Sequence, residues 1–420
     1  MRGALSSCGF CHLVWWLSHM VRLLINGGRD SNRCGGSTLP LGHGPSGCLV
    51  PENLCMEKIS RYQLVLMLVW LALGTGVLVM PSLITQSTVT DAWIAALSLF
   101  AGGVISAAIA KLHVAKFPTQ RGTAALLSMG GRGAGDILAL WYVSVIFLVG
   151  SVVAREFSLF VSIGSLPYTS ETWIAVIGFV CVSYISYAGI EPFARANEFV
   201  VPLAALVLPV LILMPMPLCD LHQFQPVLEN GWLSIWRASI PLIFVYGLEF
   251  AVAIQFVPNL RSPDKLPQDI LIAAAISTVL IAVVVILVVG VFGPTVRDLQ
   301  YPVLELVRVV RVGRFIERLD TLYGIAVLTT IIFKITVLHL ALCMGIQDVC
   351  RTSDYRWAII PVGASMFASG LWFFRNIPEL VHFIENVGPA YLLFSVVGIP
   401  FIGLVIWYVR SGLKNWFQHH

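Results

Sequence analysis

The sequence predicts an all-α integral membrane protein of ten spans, arranged as two inverted five-helix repeats in which helices 1 and 6 are broken. Three observations carry that expectation. Of 420 residues, 58% are hydrophobic and only 11% charged, against about 25% charged in soluble domains. Apolar runs recur at roughly the 20 residues a helix needs to cross hydrocarbon. Two interruptions, LALGTGVLVMP at 71–81 and IPLIFVYGLEF at 240–250, lie five spans apart.

Residues 1–55 differ from everything that follows. They hold Cys8, Cys11, Cys34, Cys48 and Cys55, a short apolar stretch interrupted by His12, His19 and Arg22, and a Gly/Ser/Pro-rich segment without helical period. CGFC at 8–11 has redox spacing but no βαβ pattern around it. The basic MEKISRYQ from Met56 leads directly into a span. We read 1–55 as a mis-assigned extension upstream of a translation start at Met56; a disordered tail is the alternative. Residues 57–412 form the ten-span domain and 413–420 a short cytoplasmic tail. Cys181, Cys219, Cys343 and Cys350 lack metal-ligand spacing and read as small buried hydrophobes.

The expected spans are 62–84, 92–113, 136–162, 172–189, 198–218, 235–257, 268–292, 320–346, 355–374 and 389–411. With the N-terminus inside, thirteen Lys and Arg fall on cytoplasmic positions and seven outside, which places both termini in the cytoplasm. The outer cluster Arg297, Arg308, Arg311, Arg314 and Arg318 has a local cause. Segment 302–319 is amphipathic, so it reads as an interfacial helix held by lipid headgroups, or as a surface for a partner.

An unwound membrane helix leaves N–H and C=O groups that lipid cannot satisfy but a zwitterion can. Gly74, Thr75, Gly76 and Val77 could therefore hold an amino-acid backbone, together with Tyr246, Gly247 and Glu249 of the second break. The alternative at Gly74 and Gly76 is a tight helix crossing. Glu249 reads as a contact for a ligand ammonium, a titrated gate, or an intramembrane partner of Lys334 or Arg155. Lys334 can stand where a coupling cation would bind, lose its proton by desolvation, or pair with Glu249. His339 reads as a hydrogen-bonded core histidine. Arg155 and Glu156 are adjacent, so on a helix they point in different directions and seek different partners.

Nothing points to an enzyme, a metal, a cofactor or a nucleic acid. No P-loop, HExxH or GxSxG motif occurs, and GGRGAGD at 130–136 precedes a span and reads as a connector.

EKISRYQLVLMLVWLALGTGVLVMPSL, DAWIAALSLFAGG, VAREFSLF, YGLEF, YPVLELVRVVRVGRFIERLD and IIFKI resemble the B subunits of Ger-type spore germinant receptors, over about residues 57–412. The resemblance implies a LeuT-like fold of the amino acid–polyamine–organocation permease superfamily. It implies a place in the spore inner membrane and recognition of a small nutrient, amino-acid-like, at the broken helices. Its expected partners are an A subunit and a C-subunit lipoprotein. By motif match, Gly74, Thr75, Gly76, Gly247 and Glu249 fall on the broken-helix positions. Two other functions compete: a proton-coupled amino acid permease, and a structural subunit or channel component with a vestigial pocket. Mass spectrometry of the native N-terminus is expected to find a chain beginning at Met56; peptides from 1–55 would overturn that start.

Overall fold

The computed structural model describes residues 57–164, 166–200, 214–309 and 319–419. Among these, eight helices are long and apolar enough to cross a membrane. The extension 1–55, most of the expected span 198–218 and residues 310–318 lie outside the described residues.

The first helix, α1 (Arg61–Ser87), opens on a reciprocal cap. Ser60 Oγ accepts from the Gln63 N–H (3.3 Å) and Gln63 Oε1 accepts from the Ser60 N–H (2.8 Å), satisfying donors that a first turn leaves free. Next come α2 (Ala92–Lys116, interrupted at Ser98), α3 (Gly122–Gly164), α4 (Glu171–Ala188) and α5 (190–200). Within α3 the GGRGAGD segment is a bend, with positive φ at Gly131 (64°) and Gly133 (95°), and the spanning part follows it. α6 begins as Gly231–Pro241, changes to a π turn over Leu242–Tyr246, and ends as 3₁₀ winding over Leu248–Asn259. α7 (Leu266–Phe292), α8 (Pro302–Val309) and α9 (Leu319–Cys350) follow.

At 15 residues, α10 (Ile359–Phe373) is short for a full crossing. The last apolar segment joins α11 (Ile377–His382), α12 (Gly388–Leu393) and α13 (Ile399–His419) through π turns at Phe383–Val387 and Phe394–Gly398.

α9 is central. It packs most extensively on α3 and α1, while α7 packs on α1 and α2. α8 departs from the interfacial expectation over its described residues. Its Val303, Leu304, Leu306 and Val307 are buried, and it lies against α1, α7 and α9, so protein rather than lipid covers its apolar side.

The two expected breaks have different fates. α1 is continuous through Gly74–Val77, so the expectation of a broken helix 1 is wrong for this structure. Its glycine serves close packing: a Cβ on Gly74 would lie 2.8 Å from Lys334 Cβ and 2.9 Å from the Thr330 carbonyl. Only a residue without a side chain lets α1 and α9 approach so near. Pro81 removes the intrahelical bond that the Val77 carbonyl would accept, yet the helix runs on to Ser87. Helix 6 does break, where Pro241 lacks an N–H and the winding loosens. The Gly247 N–H then bonds five residues back to the Leu242 carbonyl (2.8 Å). Ser106 Oγ of α2 donates to the Gly247 carbonyl (2.9 Å), tying α2 to the break in α6. This is possible because Gly102 lets α2 touch α6: a Cβ there would sit 2.3 Å from the Ile243 carbonyl.

At the opposite end of α6 a short parallel bridge joins Ile59 to Leu260. The Ile59 N–H donates to the Asn259 carbonyl (2.8 Å) and the Arg261 N–H to the Ile59 carbonyl (3.1 Å). Lys58 Nζ donates to the Pro258 carbonyl (2.6 Å) and Asn259 Nδ2 to the Glu57 carbonyl (3.1 Å). Arg61 pairs with Asp269 of α7 (2.6 Å). The residues entering α1 thus clasp the residues leaving α6.

Ser106→Ala is expected to lower stability by about 0.5–1.5 kcal/mol, because it removes a buried hydrogen bond between α2 and α6. The fall in Tm of the protein in detergent measures this. An unchanged Tm would mean that the Gly247 carbonyl finds another partner.

Candidate functional site

Side chains from α1, α3 and α6 converge on one ammonium group of α9. Lys334 is fully buried (0% exposed). Its Nζ donates to Glu249 Oε2 of α6 (2.7 Å) and Thr75 Oγ1 of α1 (3.0 Å). It also lies 5.3 Å from the centre of the Tyr246 ring, within range of a cation–π attraction. The change from π to 3₁₀ winding between Tyr246 and Leu248 brings the Tyr246 ring and the Glu249 carboxylate onto the same ammonium. Glu156 of α3, 3% exposed, is buried close enough for its charge to interact with those of Lys334 and Glu249.

A charge in hydrocarbon costs at least about 2.5–3.5 kcal/mol. The Lys334–Glu249 pair offsets that cost by close contact, and Thr75 supplies a further acceptor. Glu156 is less well served: its Oε2 is buried without a hydrogen-bond partner, and so is the Tyr246 hydroxyl.

Of the residues expected to bind ligand, the structure brings together the side chains of Thr75, Tyr246 and Glu249, with Lys334 and Glu156. Gly74 packs beneath Lys334, and Val77 packs against the apolar core. The backbone of Gly74–Val77 stays within a continuous helix rather than open to a zwitterion. Gly247 packs on Gly102, and Gly76 lies against Met80. Arg155 turns away from Glu156. It donates to Glu171 at the start of α4 (2.5 Å) and to the Arg375 carbonyl (2.7 Å), tying α3 to the loop after α10. His339 is buried between Ser186 Oγ (2.8 Å) and the Ile359 carbonyl (3.1 Å).

Glu156 also lines a cavity of about 430 Å³ at the C-terminal end of α1. Leu78, Ser82 and Gln86 form one wall, Arg297–Tyr301 a second, and Ile377–Glu385 of the last segment a third. Burial, with the nearby Glu156 carboxylate, pushes the Tyr301 phenol above its usual range, so it stays a neutral hydrogen-bond donor. Sequence reasoning missed this wall. Placing the last span at 389 left Glu385 in a loop, whereas the helical segment begins at Ile377. An acid beside so long an apolar run was the available signal. Ser106 left no signal, since a serine in a membrane helix is commonplace.

The family of spore germination proteins matches this chain over residues 58–376. Spore germination protein KB of Bacillus subtilis (strain 168) is 24% identical over 344 residues, covering 80% of this chain and 91% of that protein. Spore germination protein B2 of the same organism is 20% identical over 372 residues, 86% and 96% of the two chains. Among solved structures, MhsT in complex with L-phenylalanine superposes with a TM-score of 0.60 at 16% identity, over 82% of this chain and 88% of that one. The nucleobase-cation-symport-1 family transporter Mhp1 gives 0.52 at 14% identity, over 78% and 75%. These similarities establish a LeuT-like membrane fold.

Lys334→Met is expected to cost about 3–5 kcal/mol, because it strands a buried carboxylate. Adding Glu249→Gln should recover part of that loss. Unfolding of both proteins in detergent measures the coupling, and equal losses would show that the pair does not act as a unit.

Proposed function

Since the chain belongs to the spore germination protein family, we propose that it recognises a small nutrient germinant within the membrane, as the B subunit of a germinant receptor, and reports occupancy through the Thr75–Glu156–Glu249–Lys334 cluster. The observation that carries this reading is the fully buried Lys334 ammonium, which joins α9 to both α1 and α6. A ligand acts on a protein only through its differential affinity for two states. An occupant that changes the spacing of α1 and α6 must change the partners of Lys334, and that gives each state a distinct electrostatic energy. The ligand sits among Thr75, Tyr246 and Glu249, with Gly74, Gly76, Val77 and Gly247 setting the helix approach. Arg155 holds the scaffold.

The wider arrangement belongs to the same proposal. Ten spans in two inverted repeats follow if α10 and the segment around 198–218 each cross the membrane. Both termini then face the cytoplasm, and the spore inner membrane is the location. A membrane-embedded A subunit and a C-subunit lipoprotein receive the signal. The fold shared with transporters supports a second reading, a proton-coupled amino acid permease.

A strain lacking this gene, screened for germination with amino acids, sugars and nucleosides, should lose one class of response and regain it on complementation. Lys334→Met and Gly74→Leu should abolish that response while immunoblots still find the protein in spore membranes. Normal concentration dependence with either variant would sink the assignment. Saturable uptake of labelled amino acid into vesicles by this chain alone would favour the permease.

A further inference from the structure

The charge balance around Lys334 is incomplete. Two carboxylates, Glu249 and Glu156, face this one ammonium, and Lys334 Nζ is spent on Glu249 and Thr75. The cation adjacent to Glu156 in sequence, Arg155, is engaged by Glu171 and the Arg375 carbonyl. Glu156 Oε2 therefore stays buried without a donor, in a medium where an uncompensated charge is costly. The same side chain forms part of the wall of the 430 Å³ cavity, a volume within the range of small-molecule sites. Arg297 and His382 lie elsewhere on that wall, together with Asp298 and Glu385, so the wall away from Glu156 offers groups of both signs.

We propose that this cavity is a binding site for a small zwitterionic amine of the amino-acid class, whose ammonium supplies Glu156 with the missing cation and whose carboxylate faces Arg297. This inference adds an entry site to the recognition function proposed above, and it rests on that reading for its biological role. It differs from the sequence expectation, which put the ligand on freed backbone of helix 1. At this entry site the recognising group is a side chain of α3, outside the set of Thr75, Tyr246 and Glu249 that holds the ligand in the reading above. A ligand ammonium at Glu156 adds a positive charge beside the cluster, so binding changes the field that holds α1 to α6.

Thermal unfolding of the full chain in detergent tests the site directly, using a panel of L-amino acids, the carboxylic acids that lack their amine, and sodium chloride at matched ionic strength. At least one amino acid should raise Tm in a dose-dependent way, and its amine-free counterpart should not. Glu156→Gln should keep a folded baseline and lose the ligand shift at least tenfold in concentration. Ser82→Trp fills the cavity without touching the charges and should lose the shift as well, which keeps the test decisive if Glu156→Gln folds poorly. Equal shifts from amine-free acids, a shift from sodium chloride alone, or a shift retained by either variant would overturn the proposal. No shift from any amino acid on the panel would overturn it too. Germination assays separate the two readings: amine binding without a spore phenotype refutes the germinant role but leaves this site standing. A spore phenotype that survives Glu156→Gln does the reverse.

Discussion

A single ammonium ion, Lys334, holds together helices that come from distant parts of the chain. It reaches Thr75 on α1 and Glu249 on α6 from the middle of α9. In hydrocarbon no water can replace either partner, so the three helices are held to one mutual arrangement or must supply new donors and acceptors. The close approach at Gly74, the loosened winding of α6 and the burial of Thr75 all serve this contact. Beside this contact Glu156 Oε2 stays buried without a donor.

Irregular winding falls in α6 and in the last segment that packs on it. π turns are rare and favour functional sites, and this chain has them at Leu242–Tyr246, Phe383–Val387 and Phe394–Gly398. α6 lies against α12, with Gly388 close to Val245, so two deformable helices share a surface. α7 and α9, by contrast, run as uninterrupted helices of 27 and 32 residues. One part of the bundle is built to keep its shape and another to admit change.

How far the sequence anticipated this depends on the kind of signal. Glu249 and Lys334 were legible because an ionised group inside an apolar run has few explanations, a mutual ion pair among them. The break of helix 6 was legible because Pro241 and Gly247 each weaken helical bonding. The GTG of helix 1 was misleading, since glycine marks both an unwound backbone and a close crossing, and only the position of α9 decides between them. Ser106 and the cavity wall were not legible: their roles arise from segments that meet only after folding. The amphipathic pattern within 302–319 marks a two-sided helix over its described residues 302–309, but which surface covers its apolar side is decided by α1, α7 and α9 and not by the segment itself.

The clasp between residues 57–61 and the end of α6 has an energetic consequence. Its four hydrogen bonds outside the Arg61–Asp269 pair are worth about 0.5–1.5 kcal/mol each. A ligand at 100 to 1,000 times its Kd contributes about 2.7–4.1 kcal/mol to the state it prefers. The two quantities are of one scale. A molecule that bound one state alone at such a concentration would match the free energy of this clasp, and α6, anchored at Glu249 and clasped at Asn259, spans the distance between them.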